Sequence, residues 1–132
     1  MKKTIDTTKS IGDLGERVAV RYLRLHGYRI QERNWRTGHM ELDVIATRWK
    51  ELVFVEVKTR TYTDKTISTA PPPKVAVNEE KQRLTRRAAR QYLLEHPTKR
   101  HPRMDVIEVW LLKTGDDKRP RVAKLNHIKG AY

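Results

Sequence analysis

A chain of 132 residues has room for one domain with a modest core. Its 29 Lys and Arg against 16 Asp and Glu leave a formal charge of +13, which favours a polyanionic partner, nucleic acid before an anionic membrane surface. The absence of Cys excludes disulfides and thiolate zinc sites, no stretch is apolar enough to span a bilayer, and Met1 to Lys9 lacks the core of a secretory signal, so a cytoplasmic protein is expected.

Residues 1–10 read as a flexible basic tail, and 11–132 as a single domain. From about Asp13 to His26 the pattern is helical: Leu14, Val18, Tyr22 and Leu25 form an apolar stripe, and Gly27 stands where a C-terminal cap belongs. Glu16 lies off that stripe, in line with Ala19, Val20 and Leu23. It reads either as a first-turn acid complementing the helix dipole or as an acid aimed at a site on the sheet. Tyr28 to Trp35 alternates loosely as a first strand, and Thr37-Gly38 marks a turn.

Two strands follow, Glu41-Leu42-Asp43-Val44-Ile45-Ala46 and Leu52-Val53-Phe54-Val55-Glu56-Val57-Lys58, joined by a polar connector. If the connector is symmetric, Asp43 lies opposite Glu56 and Glu41 opposite Lys58. Opposed side chains have β-carbons about 5 Å apart, where like charges are destabilising, so the Asp43 and Glu56 carboxylates ask for a cation. A hard divalent ion suits them, because Mg²⁺ takes one or two carboxylates and leaves its other positions to water and phosphate oxygens. Lys58 beside it can orient the attacking water and stabilise charge on a phosphate. A plain surface hairpin with cross-strand ion pairs accounts for the same residues equally well.

Between Thr59 and Lys74 the chain is polar and ends in Pro71-Pro72-Pro73, which reads as a long loop that closes over nucleic acid, with Arg60 and Lys65 on phosphates. Asn78 caps a second helix running to about Glu95; Leu84, Ala88, Tyr92 and Leu93 form its buried side. Lys81, Arg83, Arg86, Arg87 and Arg90 make its other sides a phosphate-contacting surface, with Lys81 nearest the carboxylates. Met104 to Leu112 is a central strand, Gly115-Asp116-Asp117 a turn, and Arg121 to Ile128 an edge strand. Most of the five His are expected to be solvated, and His39 alone stands close to the carboxylate hairpin. Trp35, Trp49 and Trp110 are dispersed and read as core or rim packing rather than a stacking platform.

The order α-β-β-β-α-β-β, with an acid in the first helix, Asp in the second strand and Glu-x-Lys in the third, resembles the restriction-endonuclease-like PD-(D/E)xK superfamily. The bacterial YraN family, itself similar to archaeal Holliday-junction resolvases, is the nearest likeness. It is carried by Gly12-Asp13-Leu14-Gly15-Glu16, Tyr28, Asn34-Trp35-Arg36, Glu41 to Ala46, Phe54 to Arg60, Lys81-Gln82-Arg83-Leu84, Asp105-Val106 and His127 to Tyr132. The chain departs from the family at Met40, where Gly is usual. The resemblance implies an α/β fold with a mixed central sheet flanked by helices. It further implies Asp43, Glu56 and the Val57 carbonyl as ligands of Mg²⁺ or Mn²⁺, Lys58 as the catalytic lysine, Glu16 binding through water or completing the metal shell, and Glu41 behind them. The function it implies is hydrolysis of DNA phosphodiesters, in branched or structured DNA, with a homodimer as one arrangement because two symmetric cuts need two sites. The competing readings are a nucleic-acid-binding protein that keeps the fold without cleavage, and a basic scaffold.

Overall fold

The alternating and helical segments take the expected order in the computed structural model, which describes residues 8–63, 78–113 and 120–132. Among these residues, helix α1 (Thr8–Leu25) is followed by strands β1 (Arg29–Thr37), β2 (Met40–Arg48) and β3 (Glu51–Thr63), helix α2 (Glu79–Glu95), and strands β4 (His101–Lys113) and β5 (Arg121–Ile128). The strands form one sheet in chain order, β1-β2-β3-β4-β5. β3 and β4 are parallel and the other neighbours antiparallel. A parallel pair needs a crossover, and α2 lies in it.

The helix ends follow local chemistry. Gly27 adopts φ 86°, and the Tyr28 N–H returns to the Leu23 carbonyl at 2.9 Å, closing α1 with a left-handed cap. At the start of α2 the Asn78 side chain accepts from the Lys81 N–H at 2.8 Å, with Glu79 and Glu80 in the positive first turn. One sheet face packs Val44, Ala46, Val53, Val55, Ile107, Val109 and Leu111 under α1; on the α2 side, Leu42, Ile45, Leu52 and Phe54 meet Ala88, Ala89 and Tyr92. Met40, the departure from the family pattern, leans on this second cluster, as do Trp35 and Leu93.

Several expectations are corrected. α1 begins at Thr8, so residues 8–10 belong to the helix and not to a tail; residues 1–7 lie outside the described residues. The buried line of α1 is Ala19, Val20 and Leu23, with Leu14, Val18 and Tyr22 at its margin and Leu25 exposed. Small Gly15 and Ala19 let the helix settle on that side, which turns Glu16 toward the sheet. β3 continues to Thr63 because its parallel pairing with β4 runs through Thr63↔Lys113, so Arg60 sits in a strand and not in a loop. The rest of the expected loop, with Lys65, and the Gly115-Asp116-Asp117 turn lie outside the described residues. Trp110 is buried and Trp35 half-buried, but Trp49 stands 82% exposed.

His127 is buried rather than solvated, in a polar network on β4 and β5. Asp105, fully buried, takes a two-point contact from Arg103 (2.8 and 2.9 Å), 2.8 Å from His127 Nε2, and the Gly130 N–H at 3.1 Å. His127 Nδ1 is then left to accept from the Tyr22 hydroxyl, 3.1 Å away on α1. Burial alone pushes the Asp105 carboxyl up, but the bonds from His127, Arg103 and Gly130 outweigh it and hold it down at about 2. With the Ala131 N–H on the Met104 carbonyl, the network anchors the segment that ends in Tyr132.

Gly15 and Asp105 test this packing. A methyl group at Gly15 would overlap the Thr59 hydroxyl on β3. Gly15→Ala should therefore destabilise by about 1–3 kcal/mol in urea titrations, against the roughly 0.5–1 kcal/mol gain of Gly→Ala in an open helix. Because the folded-state value of Asp105 is depressed, its contribution is present above the ordinary carboxyl range and is lost as pH falls through about 2. Asp105→Ala should cost about 3–5 kcal/mol at pH 7, and the wild-type advantage over it should shrink between pH 4 and pH 2 in the same titrations.

Candidate active site

β2 and β3 pair in the expected register from Arg48↔Glu51 through Ile45↔Phe54 to Val44↔Val55, where the ladder ends. One step further, in the gap between the strands, the Asp43 carboxylate takes over: its Oδ2 accepts from the Val57 N–H at 2.9 Å. A side chain therefore replaces the backbone acceptor that a continuing strand would have offered. Asp43 and Glu56 come to one place, whereas Glu41 and Lys58 do not pair. Glu41 is held by Arg36, directly opposite on β1, at 2.8 Å, and Lys58 turns to Glu56 at 3.5 Å. The expected Glu41–Lys58 facing fails because β2 and β3 have separated by that level.

The Glu56 side chain is only 10% exposed. Oε1 faces Lys58 at 3.5 Å and Lys81 Nζ, from α2, at 3.8 Å. Both distances exceed the roughly 2.7–2.9 Å of a strong charge-assisted bond. Oε2 is buried and has no hydrogen-bond partner. A niche of about 10 Å³, close to the size of one water, lies among Asp43, Glu56, Lys81 and Thr85. It adjoins a 330 Å³ cleft lined by His39, Glu41, Asp43 and Lys81. On the α1 side a 390 Å³ cleft is lined by Gly12, Glu16, Asp43, Val57 and Thr59. Asp43 is common to all three.

Burial raises the Asp43 carboxyl to about 6; the Val57 N–H opposes the rise, Glu56 adds to it, Lys81 opposes it and Glu41 adds to it. Glu16 is also raised, by burial first and then by the charge of Asp43, with Arg33 opposing. Asn34 ties this side together. With its amide nitrogen facing the carboxylates, it donates to Glu16 Oε1 at 2.9 Å and to Glu41 Oε1 at 3.0 Å. The Asn34 backbone is left-handed, φ 52°, a conformation Asn tolerates better than most residues.

The family model that this chain matches, described as uncharacterised protein family UPF0102, covers residues 15–109. A UPF0102 protein of Alkaliphilus oremlandii is 40% identical over 127 residues, 94% of this chain and 98% of the relative. One of Bacteroides fragilis is 41% identical over 122 residues, 92% and 91% of the two chains. That of Caldanaerobacter subterraneus subsp. tengcongensis is 36% identical over 133 residues and the full length of both. The chain belongs to the UPF0102 family. The matched span includes Glu16, Glu41, Asp43, Glu56, Lys58 and Lys81 of this UPF0102 protein and stops short of Tyr132.

Thr85, Asn34 and Tyr132 were given no site role by the sequence, although Asn34 and Tyr132 are among the residues that carry the family resemblance. The Tyr132 ring lies under the Arg86 guanidinium, 5.4 Å from it, beside the turn of α2 that carries Thr85, whose hydroxyl donates to the Lys81 carbonyl at 2.8 Å and which lines the niche. Burial raises its phenol, with Thr85 opposing, Glu56 adding to the rise, Arg86 opposing and Asp43 adding. No spacing in the sequence links residue 132 to residues 43 and 56; only its place after the Asp105-anchored segment does. The remaining expected cations divide. Arg83 is paired with Glu80 at 2.7 Å on the exposed side of α2, and Arg87 and Arg90 are exposed. Arg60, in β3, pairs through its guanidinium with fully buried Glu108 at 3.2 Å.

Among the described residues no three His, Cys, Asp or Glu side chains group closely enough to hold an ion alone. The niche is lined by three carboxylates, Glu41, Asp43 and Glu56, of which Glu41 is paired with Arg36, and Glu16 lines the cleft on the other side of Asp43. Because the Asp43 carboxyl is raised, the metal-free fold pays for its ionisation: its full stability is present below the ordinary carboxyl range and is lost as pH rises through about 6. Asp43→Asn, which keeps an acceptor for Val57, should stabilise the chelator-treated protein by about 1–3 kcal/mol at pH 8 and by nothing at pH 4, as thermal melts at the two pH values would show.

Proposed function

We propose that this protein is a metal-dependent endonuclease of the restriction-endonuclease-like, PD-(D/E)xK type, hydrolysing phosphodiester bonds in branched or otherwise structured DNA. The observation that carries this reading is the Glu56 Oε2 atom, buried and unpartnered beside a one-atom niche that Asp43 also lines. An orphaned buried carboxylate oxygen costs about 1–3 kcal/mol or more, a cost that a bound cation removes. Asp43 and Glu56 fit Mg²⁺ or Mn²⁺, which needs only one or two carboxylates. In an extended strand the N–H and C=O of a residue point to the same side, so the Val57 carbonyl joins them in the gap its N–H already faces. Bound there, the ion supplies Lewis acidity toward a phosphate oxygen and a water of lowered pKa.

The chain's own groups do the rest. Lys58, on the same strand face as Glu56, holds the attacking water in line and balances charge growing on the phosphoryl oxygens. Glu16 accepts from water across the gap, kept in place by Asn34. Lys81, with the exposed Arg87 and Arg90, draws the DNA backbone along α2, and the net charge of +13 steers it in. A homodimer would place two such sites on a symmetric junction.

One observation favours a second reading, a nucleic-acid-binding protein without cleavage: Lys58 and Lys81 already lie near Glu56, at 3.5 and 3.8 Å. Purified protein incubated with branched, single-stranded and duplex DNA separates the two. Cleavage with Mg²⁺ or Mn²⁺, abolished by EDTA and lowered about 100-fold or more in both Asp43→Ala and Lys58→Ala while binding persists, is expected. Equal cleavage in the variants marks a contaminant, and binding without cleavage under either metal supports the second reading.

A further inference from the structure

The other end of the sheet carries a feature that neither folding nor the carboxylate site explains. Trp49 is the first residue of the two-residue turn joining β2 and β3, and its backbone is left-handed, φ 54°. That position belongs to Gly or Asn, and a bulky aromatic residue there is strained. Trp49 recovers nothing by burial, since 82% of it is exposed. Strain kept without a packing return points to a use outside the fold.

Its surroundings indicate the use. The Arg48 guanidinium lies over the Tyr28 ring at 4.4 Å and the Trp49 ring at 5.2 Å, and Arg48 also donates to the His26 carbonyl at 3.1 Å. The three side chains form a stack whose outermost member is open to solvent. The Arg100 guanidinium donates to the Trp49 carbonyl and locks the turn. Arg29, Lys50 and Arg100 are exposed around it, and the nearby acid Glu51 is taken by Arg103. Arg29 and Arg100 also border a 330 Å³ cleft.

We propose that Trp49 and its flanking cations form a second nucleic-acid contact, a platform on which a base of single-stranded DNA stacks while Arg29, Lys50 and Arg100 hold the adjoining phosphates. Stacking on an exposed aromatic side chain, with a positively charged backbone track, is the general way single strands are bound without sequence preference. The exposed cations Arg29, Lys50 and Arg100 around the ring favour a polyanion over a second copy of this chain at this patch. The five strand steps from Glu51 to Glu56 separate the platform from the carboxylates by roughly 17 Å. The platform would hold an unpaired arm while the carboxylates meet the backbone elsewhere on the same molecule. It shares with the endonuclease reading only the class of partner, and it stands or falls without the metal.

The experiment is an anisotropy titration in EDTA, where no metal-dependent cleavage occurs, with labelled oligothymidylate and a closed-end duplex of matched charge. Trp49→Gly should weaken oligothymidylate binding about tenfold, leave duplex binding within about threefold, and not lower the Tm, because Gly relieves the φ 54° strain. Trp49→Phe should retain most of the affinity. Oligothymidylate should also quench wild-type tryptophan emission, and the quench should be missing in Trp49→Phe, which keeps Trp35 and Trp110 as internal references. Unchanged oligothymidylate affinity in Trp49→Gly, equal loss for both DNAs, or a quench that survives in Trp49→Phe would overturn the proposal. Because the titration runs in EDTA, stacking is read independently of cleavage.

Discussion

The hydrogen bond from the Val57 N–H to the Asp43 carboxylate is the interaction on which the candidate site depends. A β-hairpin that kept its ladder would have satisfied that N–H with backbone and closed the gap between β2 and β3. Because the ladder stops at Val44↔Val55, a carboxylate enters the sheet at its own level, reachable from both faces. Burial and the neighbouring Glu56 charge then make its ionisation costly in the absence of a cation.

Two remote features hold this arrangement in place. Gly15 lets α1 approach β3 at Thr59 without a side chain between them, which brings the next residue, Glu16, to the edge of the gap. On the far side of β3, the Arg103–Asp105–His127 network fixes the segment through Gly130 and Ala131, and so brings Tyr132 against Thr85 and Arg86. Buried charges of this kind are expensive unless every partner is present. Here the partners come from both β4 and β5, which couples the integrity of the sheet edge to the site. The charged residues therefore fall into distinct roles. Arg60 and Arg103 pair with buried acids, whereas Lys58 and Lys81 lie near Glu56 and Arg87, Arg90, Arg29, Lys50 and Arg100 are exposed. A net charge alone conceals this division.

How much was legible beforehand differs by level. The element order, the hairpin register and the helix caps could be read directly, since each rests on spacing between near neighbours: period two in β2 and β3, Gly after Leu25, Asn before Glu79. Membership of a bacterial family was readable from ordered motifs, and the family match bears that level out. The inward line of α1 was misjudged because two adjacent lines of the helix are both apolar, and only contact with Thr59 decides between them. The end of β3 was misplaced because the polar sequence after Lys58 resembles a loop. It is held as a strand by β4, a partner some fifty residues distant.

By itself, then, the sequence determined what is local and periodic: seven elements in order, a register that sends Asp43 toward Glu56, and an excess of positive charge. Only the tertiary structure decided where strands part, which cations pair with buried acids, that Tyr132 lies under Arg86 of α2, and that Trp49 stands open at the opposite end. The physical reason is range. Hydrogen-bond spacing and capping act over a few residues, whereas burial and charge neutralisation depend on partners that are distant in the chain and become neighbours only when the sheet and helices have packed.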